Sequence, residues 1–121
     1  MIYREKEGKL KLRMGGGDDP VRIEVTCYHG SVAVVSFSNE GPRTARCGDT
    51  QPVGRESGLK GKRRRYTSGG NNPMGNGFKV KHVFTSSVDQ ITYTFPDDYT
   101  GEVPHDPDDM NPSCQFIVNY D

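Results

Sequence analysis

The sequence predicts an all-β domain, an antiparallel β-sandwich of about seven strands with three long loops. Apolar and polar residues alternate over several short segments, and glycine and proline are frequent between these segments. No segment shows the three- and four-residue apolar spacing of an amphipathic helix. Strands with one apolar face must bury that face against a second sheet or by closing into a barrel. The 121 residues fit one domain, residues 1–121, with an immunoglobulin-like or a jelly-roll topology.

The alternating pattern defines the predicted strands. In chain order they cover residues 10–14, 21–27, 33–37, 62–67, 78–84, 91–95 and 114–120. The segment 62–67 has the weakest pattern because it is rich in arginine. A short turn that contains Gly30 separates the second and third segments, so we expect those two strands to form a hairpin.

Three stretches between the predicted strands are rich in glycine, proline, asparagine or aspartate. They cover residues 39–61, 68–76 and 96–113, and their composition predicts loops. Long loops in a small domain often carry its function.

The sequence contains no apolar run near eighteen residues, which excludes a membrane-spanning helix. Residues 1–6 lack the apolar stretch of a secretory signal. We therefore expect a cytoplasmic protein, or a secreted one if a leader was removed.

The cysteines Cys27, Cys47 and Cys114 are spaced too widely for a Cys-x-x-Cys motif. The sequence favours three free thiols, with Cys27 as a small buried residue. If a disulfide forms, we expect Cys27 to pair with Cys114, because both point inward from predicted strands.

Charge is balanced overall but divided along the chain. Sixteen basic and sixteen acidic residues give a net charge of +0, yet every lysine and arginine lies at or before Lys81. The division predicts that the molecule orients on a charged partner or forms a charge-driven oligomer.

A basic segment is the first candidate ligand-binding site. Its members are Arg55, Lys60, Lys62, Arg63, Arg64 and Arg65, followed by Tyr66. Arginine side chains suit phosphate or carboxylate, and an exposed tyrosine can stack on a base or a sugar. The alternative interpretation is a solvated edge strand whose charges prevent sheet-to-sheet aggregation. Overall neutrality makes nucleic acid a less favoured partner.

An acidic stretch near the C-terminus is the second candidate site. Its members are Asp97, Asp98, Glu102, Asp106, Asp108 and Asp109. Clustered carboxylates on a loop can bind Ca²⁺, although the spacing and central glycine of an EF-hand loop are missing. The alternative interpretation is a polar loop whose acids face water.

The histidines and the glycine-rich segments give little indication of catalysis. His82 shares a predicted face with apolar residues, which indicates a hydrogen-bonded core histidine, whereas His29 lies in a predicted exposed turn. His105 stands beside Asp106, but the spacing supplies no further zinc ligand. Residues 54–58 place serine one position late for a Gly-x-Ser-x-Gly motif.

These features together predict a non-enzymatic binding module that contacts an anionic surface, a glycan or a protein partner through its loops. The basic segment is the expected contact surface, and the acidic stretch is a second contact or a calcium site. The second hypothesis is a structural subunit of a viral or secretion-related assembly, packed head-to-tail by its divided charge. The third is a small hydrolase with His82 or His105 in a deep pocket.

Overall fold

A computed structural model describes residues 1–38 and 41–121 of the chain. These residues form two β-sheets and one short helix. In chain order the elements are β1 (Ile2–Arg4), β2 (Leu10–Leu12), β3 (Pro20–Tyr28), β4 (Val32–Phe37), β5 (Arg43–Arg46), β6 (Thr50–Arg55), α1 (Glu56–Leu59), β7 (Arg63–Asn71), β8 (Lys79–Thr85), β9 (Gln90–Phe95) and β10 (Ser113–Tyr120). None of the helical residues described belongs to a helix long and apolar enough to cross a membrane.

The strands form an all-β sandwich, as the sequence predicts. The six-stranded sheet has the order β1-β10-β7-β4-β5, and β2 also pairs with β10. The four-stranded sheet has the order β6-β3-β8-β9. Pairing is antiparallel except at β1 and β2, which run parallel to β10 along successive parts of the same edge.

Each of the segments predicted from alternation contains an observed strand, but β1, β5 and β6 were not predicted. Strands β5 and β6, together with α1, occupy most of the stretch 39–61 that was predicted as a loop; residues 39 and 40 of that stretch lie outside the described residues. These short strands carry many polar residues and lie at sheet edges or ends, so their pairing depends on a neighbouring strand rather than on an alternating pattern.

The predicted hairpin of β3 and β4 is wrong, because the two strands belong to different sheets. His29 and Gly30 in the connection have positive φ values of 58° and 85°, and the turn leads the chain from one sheet to the other. Alternation decides which face of a strand is buried, but it does not decide which strand is the neighbour.

The core lies between the sheets and is rich in aromatic rings. Phe116 of β10 packs against Tyr66, Tyr93 and His82, with ring centroids 5.6, 4.7 and 5.1 Å away. Because side chains alternate along β7, burial of Tyr66 requires that its neighbour Arg65 point to solvent.

The cysteine predictions are also wrong. Cys27 at the end of β3 forms a disulfide with Cys47, whereas Cys114 is free and buried. Cys47 lies in the short turn between β5 and β6, which are edge strands of different sheets. That turn brings it beside β3, a proximity that a loop prediction for residues 39–61 could not show.

Candidate functional site

The structure divides the predicted basic segment instead of keeping it as one cluster. Arg63 and Arg65 are exposed on the outer face of the six-stranded sheet. Arg64, between them, points to the opposite side and is half-buried, and its guanidinium donates a hydrogen bond to the carbonyl oxygen of Arg63 at 3.2 Å.

The other cations of that segment lie away from β7. Lys60 and Lys62 are exposed in the connection between α1 and β7. Arg55, at the end of β6, donates a hydrogen bond to the carbonyl oxygen of Asp18 at 3.1 Å. Arg55 therefore helps to hold a loop and does not join the arginines of β7.

Tyr66 does not reach the surface, so the prediction that it stacks on a ligand is wrong. Its side chain is fully buried, its ring centroid lies 4.9 Å from that of Phe84, and its hydroxyl is hydrogen-bonded to that of Tyr120. The edge-strand interpretation is also wrong, because β7 lies between β10 and β4 inside the sheet.

Strand register adds three cations to the outer face of this sheet. Residues that lie directly opposite each other on neighbouring strands point to the same face. Asn119 of β10 lies between Lys11 of β2 and Arg63 of β7, in one row across the face.

Two further rows contain the other two added cations. Arg4 of β1 lies opposite Gln115, which in turn lies opposite Thr67 of β7. At the other side of the sheet, Arg46 of β5 lies opposite Val34 of β4. The outer face therefore combines cations from four strands. We call it the basic face and define it as Arg4, Lys11, Arg46, Arg63 and Arg65.

The N-terminal strands that contribute to the basic face are held at both ends. The N-terminal ammonium of Met1 and the hydroxyl of Tyr3 donate hydrogen bonds to Asp109 at 3.1 and 3.2 Å. Beyond β2, the backbone N–H of Gly15 donates to the buried carboxylate of Glu56. These contacts fix the position of Arg4 and Lys11 relative to β7.

Positive charge on the basic face is largely unpaired. Arg63 forms an ion pair with Glu7. Within residues 1–38 and 41–121, the other four members form no ion pair. By contrast, Asp89 and Asp97 pair with Arg13 and Lys79 at 3.7 and 2.7 Å, away from this face.

Arg65 lies between two depressions of the surface. One, of about 160 Å³, is lined by Arg4, by the acids Glu5 and Glu7, and by Phe116 and Ile117. The other, of about 490 Å³, is a shallow area bordered by Ser36 and Thr44. Arg65 borders both, so a ligand that fills either depression lies within reach of its guanidinium.

The acids of the second candidate site are spread along a loop beside β1. We call residues 97–109 the acidic loop. Asp97 pairs with Lys79, and the Asp98 carboxylate accepts a hydrogen bond from the N–H of Thr94 at 2.7 Å. Asp106 instead accepts one from the N–H of Asp108 at 2.9 Å.

Among the described residues, the structure does not show the calcium site that was predicted for the acidic stretch. There, no group of three or more acids, histidines or cysteines lies close enough to hold a metal ion. The most enclosed acid, Asp109, binds the N-terminal ammonium, which lowers the pKa of its carboxyl group. Carboxylates that are close together in the sequence therefore bind different partners in the fold.

His82 and Ser68 form a hydrogen-bonded pair that resembles a serine–base pair in composition only. The Nε2 atom of His82 lies 2.8 Å from the Ser68 hydroxyl oxygen, and its Nδ1 atom lies 2.9 Å from the carbonyl oxygen of Tyr93. Both side chains have 0% exposure, so no substrate can reach them. The burial expected of His82 is confirmed, and its role is structural.

His105 supports the acidic loop. Its ring lies against the rings of Tyr3 and Phe95, with centroids 5.1 and 4.9 Å away, and partial burial lowers its pKa. Tyr3 also accepts a hydrogen bond from the N–H of Asp106 at 3.1 Å. The loop is therefore packed onto β1 at the margin of the six-stranded sheet.

Sequence reasoning missed Arg4, Lys11 and Arg46. A partial signal existed for Lys11, because alternation places it on the face opposite Leu10 and Leu12. The other two lie on strands that were not predicted. Their place on the same face as Arg65 depends on the neighbours of β7, which local patterns do not encode.

Comparison of the chain with protein-family models, curated protein sequences and solved structures found no match. The interpretation of the site therefore rests on its geometry and charge.

Proposed function

We propose that this protein is a non-enzymatic binding domain whose basic face binds an extended acidic segment of a protein partner. One observation carries the proposal. Cations from four strands lie on one sheet face, and Arg63 is the member that has an ion pair among the described residues. Like charges held together cost free energy unless counterions or an anionic ligand offset them.

The spacing of the arginines supports an extended ligand. Arg63 and Arg65 are two residues apart on one strand, which separates their Cα atoms by about 7 Å. Alternate side chains of an extended peptide have the same spacing, so two carboxylates of such a peptide can face the two guanidinium groups, with the one at Arg63 replacing the exposed carboxylate of Glu7. Arginine binds carboxylate through paired hydrogen bonds, which adds geometric selectivity to the attraction of charge.

The remaining composition of the face supports a protein ligand over nucleic acid. Half-buried Ile117 and Val34, with exposed Ile2 and Val32, lie among or beside the cations on the same side of the sheet. Apolar side chains next to arginine are typical of protein interfaces. Nucleobases would require an aromatic stacking surface, and Tyr66, the tyrosine nearest to these arginines in sequence, is buried.

The proposal is tested with a fluorescein-labelled peptide of alternating aspartate and valine, whose binding is followed by fluorescence anisotropy. Arg63→Gln combined with Arg65→Gln removes two charges from the basic face. Each lost pair is expected to cost about 1 kcal/mol, so the combined variant binds roughly 25-fold more weakly. Circular dichroism and thermal unfolding verify that the variant is folded.

The matched control is Arg22→Gln combined with Lys81→Gln on the outer face of the four-stranded sheet. It loses the same charge and is expected to bind the peptide like the unchanged protein. Equal weakening in both variants would show that only net charge matters and would refute the proposed site. Tighter binding of an oligothymidine or of phosphatidylserine vesicles than of the peptide would refute the proposed ligand class.

A further inference from the structure

The acidic loop has the properties that the proposed function requires of a ligand for the basic face. Five of its six acids are exposed, and Asp109 is half-buried. The carboxylates of Glu102 and Asp108 form no hydrogen bond or ion pair with the described residues. Their charges are available to an external partner.

Apolar side chains accompany the charges on both surfaces. Val103 in the acidic loop is 44% exposed, and Met110 directly after it is 82% exposed. On the other side, Ile2 and Val32 are exposed on the sheet that carries the basic face. Loop and face therefore complement each other in charge and in apolar character, a combination found in specific protein interfaces.

Within one molecule, the loop packs beside the margin of the basic face, where the Tyr99 hydroxyl donates a hydrogen bond to the carbonyl oxygen of Arg4 at 3.4 Å. The hydroxyl of Tyr3 binds both Asp106 and Asp109, which holds the loop against β1. None of the ion pairs among the described residues joins a loop carboxylate to Arg4, Lys11, Arg46, Arg63 or Arg65. The charge complementarity between the loop carboxylates and the basic face is therefore not used within the molecule and is left for a contact between molecules.

We propose that the acidic loop of one copy docks on the basic face of a second copy, which produces head-to-tail association. The inference rests on the proposed function, because it names the acidic segment that the basic face binds. A face-to-face dimer would oppose two sets of cations and is disfavoured. A contact between different surfaces leaves a free face and a free loop at the ends, so the association continues into a ring or a filament. The net charge of +0 means that growth builds up no repulsion.

Two charge-reversal variants test the arrangement. The face variant combines Arg4→Glu with Arg65→Glu, and the loop variant combines Glu102→Lys with Asp108→Lys. In analytical ultracentrifugation at about 0.01 M salt, the unchanged protein is expected to associate as its concentration rises. At about 1 M salt its association constant is expected to be at least tenfold lower, because the Debye screening length falls from about 30 Å to about 3 Å. Each variant alone is expected to associate at least tenfold more weakly than the unchanged protein.

Mixing the two variants distinguishes head-to-tail docking from other arrangements. The intact loop of the face variant fits the intact face of the loop variant, and the reversed loop of the loop variant fits the reversed face of the face variant, so the mixture is expected to associate with alternating subunits like the unchanged protein. A mixture that associates no more than either variant alone would overturn the inference.

A fourfold variant removes the influence of net charge. It carries both reversals in one chain, keeps a net charge of zero, and is expected to associate again through its exchanged charges. Its matched control combines the loop reversal with Arg22→Glu and Lys81→Glu; it has the same net charge, but the two reversed positions of its loop meet the unchanged cations of the basic face, so it stays monomeric. Association of that control would overturn the inference.

Failure of the inference is separable from failure of the proposed function. If the unchanged protein remains monomeric at low salt but binds the labelled acidic peptide through Arg63 and Arg65, the inference fails and the proposed function stands. If neither the peptide nor a second copy binds, the proposed function fails as well.

Discussion

Acidification provides a quantitative test of the core, because His82 must remain neutral there. The carbonyl oxygen of Tyr93 can only accept a hydrogen bond, so Nδ1 of His82 carries the proton and Nε2 accepts one from the Ser68 hydroxyl. A second proton would turn Nε2 into a donor, reverse the direction of its hydrogen bond to Ser68, and place a charge among aromatic rings. Burial accordingly lowers the pKa of His82 to about 4.

The size of the effect follows from this pKa. An unfolded histidine takes up a proton near pH 6.5, and each unit of difference in pKa corresponds to about 1.4 kcal/mol. A difference of about 2.5 units makes the free energy of unfolding fall by about 3 kcal/mol between roughly pH 6.5 and pH 4. Below about pH 6.5 the unfolded chain binds a proton at this histidine and the folded chain does not. The free energy of unfolding therefore decreases as the pH falls.

The assay is urea unfolding followed by circular dichroism, from about pH 7.5 to about pH 4.5. His82→Gln is expected to reduce stability at neutral pH by about 1–3 kcal/mol, because Ser68 or Tyr93 loses a partner, and to flatten the dependence on pH. His105→Gln is the control for the other histidine whose pKa burial lowers. Asp89 and Asp109 have lowered carboxyl pKa values and contribute mainly below this range. An equal pH slope in His82→Gln and the unchanged protein would refute the assignment.

Two further predictions concern stability. Replacement of Cys47 by serine opens the disulfide to Cys27, 20 residues away, and is expected to cost about 3 kcal/mol in urea unfolding. The unchanged protein, denatured without reductant, should then show one reactive thiol per chain, from Cys114, and three would contradict the pairing. Gly70→Ala is expected to destabilise the fold by about 3 kcal/mol or more, because its methyl group would overlap the carbonyl oxygen of Val32. The control Gly58→Ala meets no atom within 4 Å and should leave the melting temperature nearly unchanged, so equal effects of both substitutions would contradict the strand packing.

The charged segments show where prediction from the sequence was incomplete. Alternation placed Tyr66 on a strand. That strand was interpreted either as a ligand-binding segment, in which Tyr66 stacks on the ligand, or as an edge strand of the sheet. Interior placement of β7 between β10 and β4 reverses that assignment. For the acidic stretch, closeness in sequence suggested a shared cation, whereas Asp97 and Asp109 bind Lys79 and the N-terminus instead.

The sequence by itself determined the all-β class, the positions of the longer strands and the burial of His82, because period-two alternation is a local property that burial of one strand face imposes. Tertiary structure alone decided that β3 and β4 separate into different sheets, that Cys27 meets Cys47, and that Arg4 and Arg46 share a face with Arg65. Which strands become neighbours depends on how all the apolar faces pack into one core, and residues far apart in the chain become partners only through that packing.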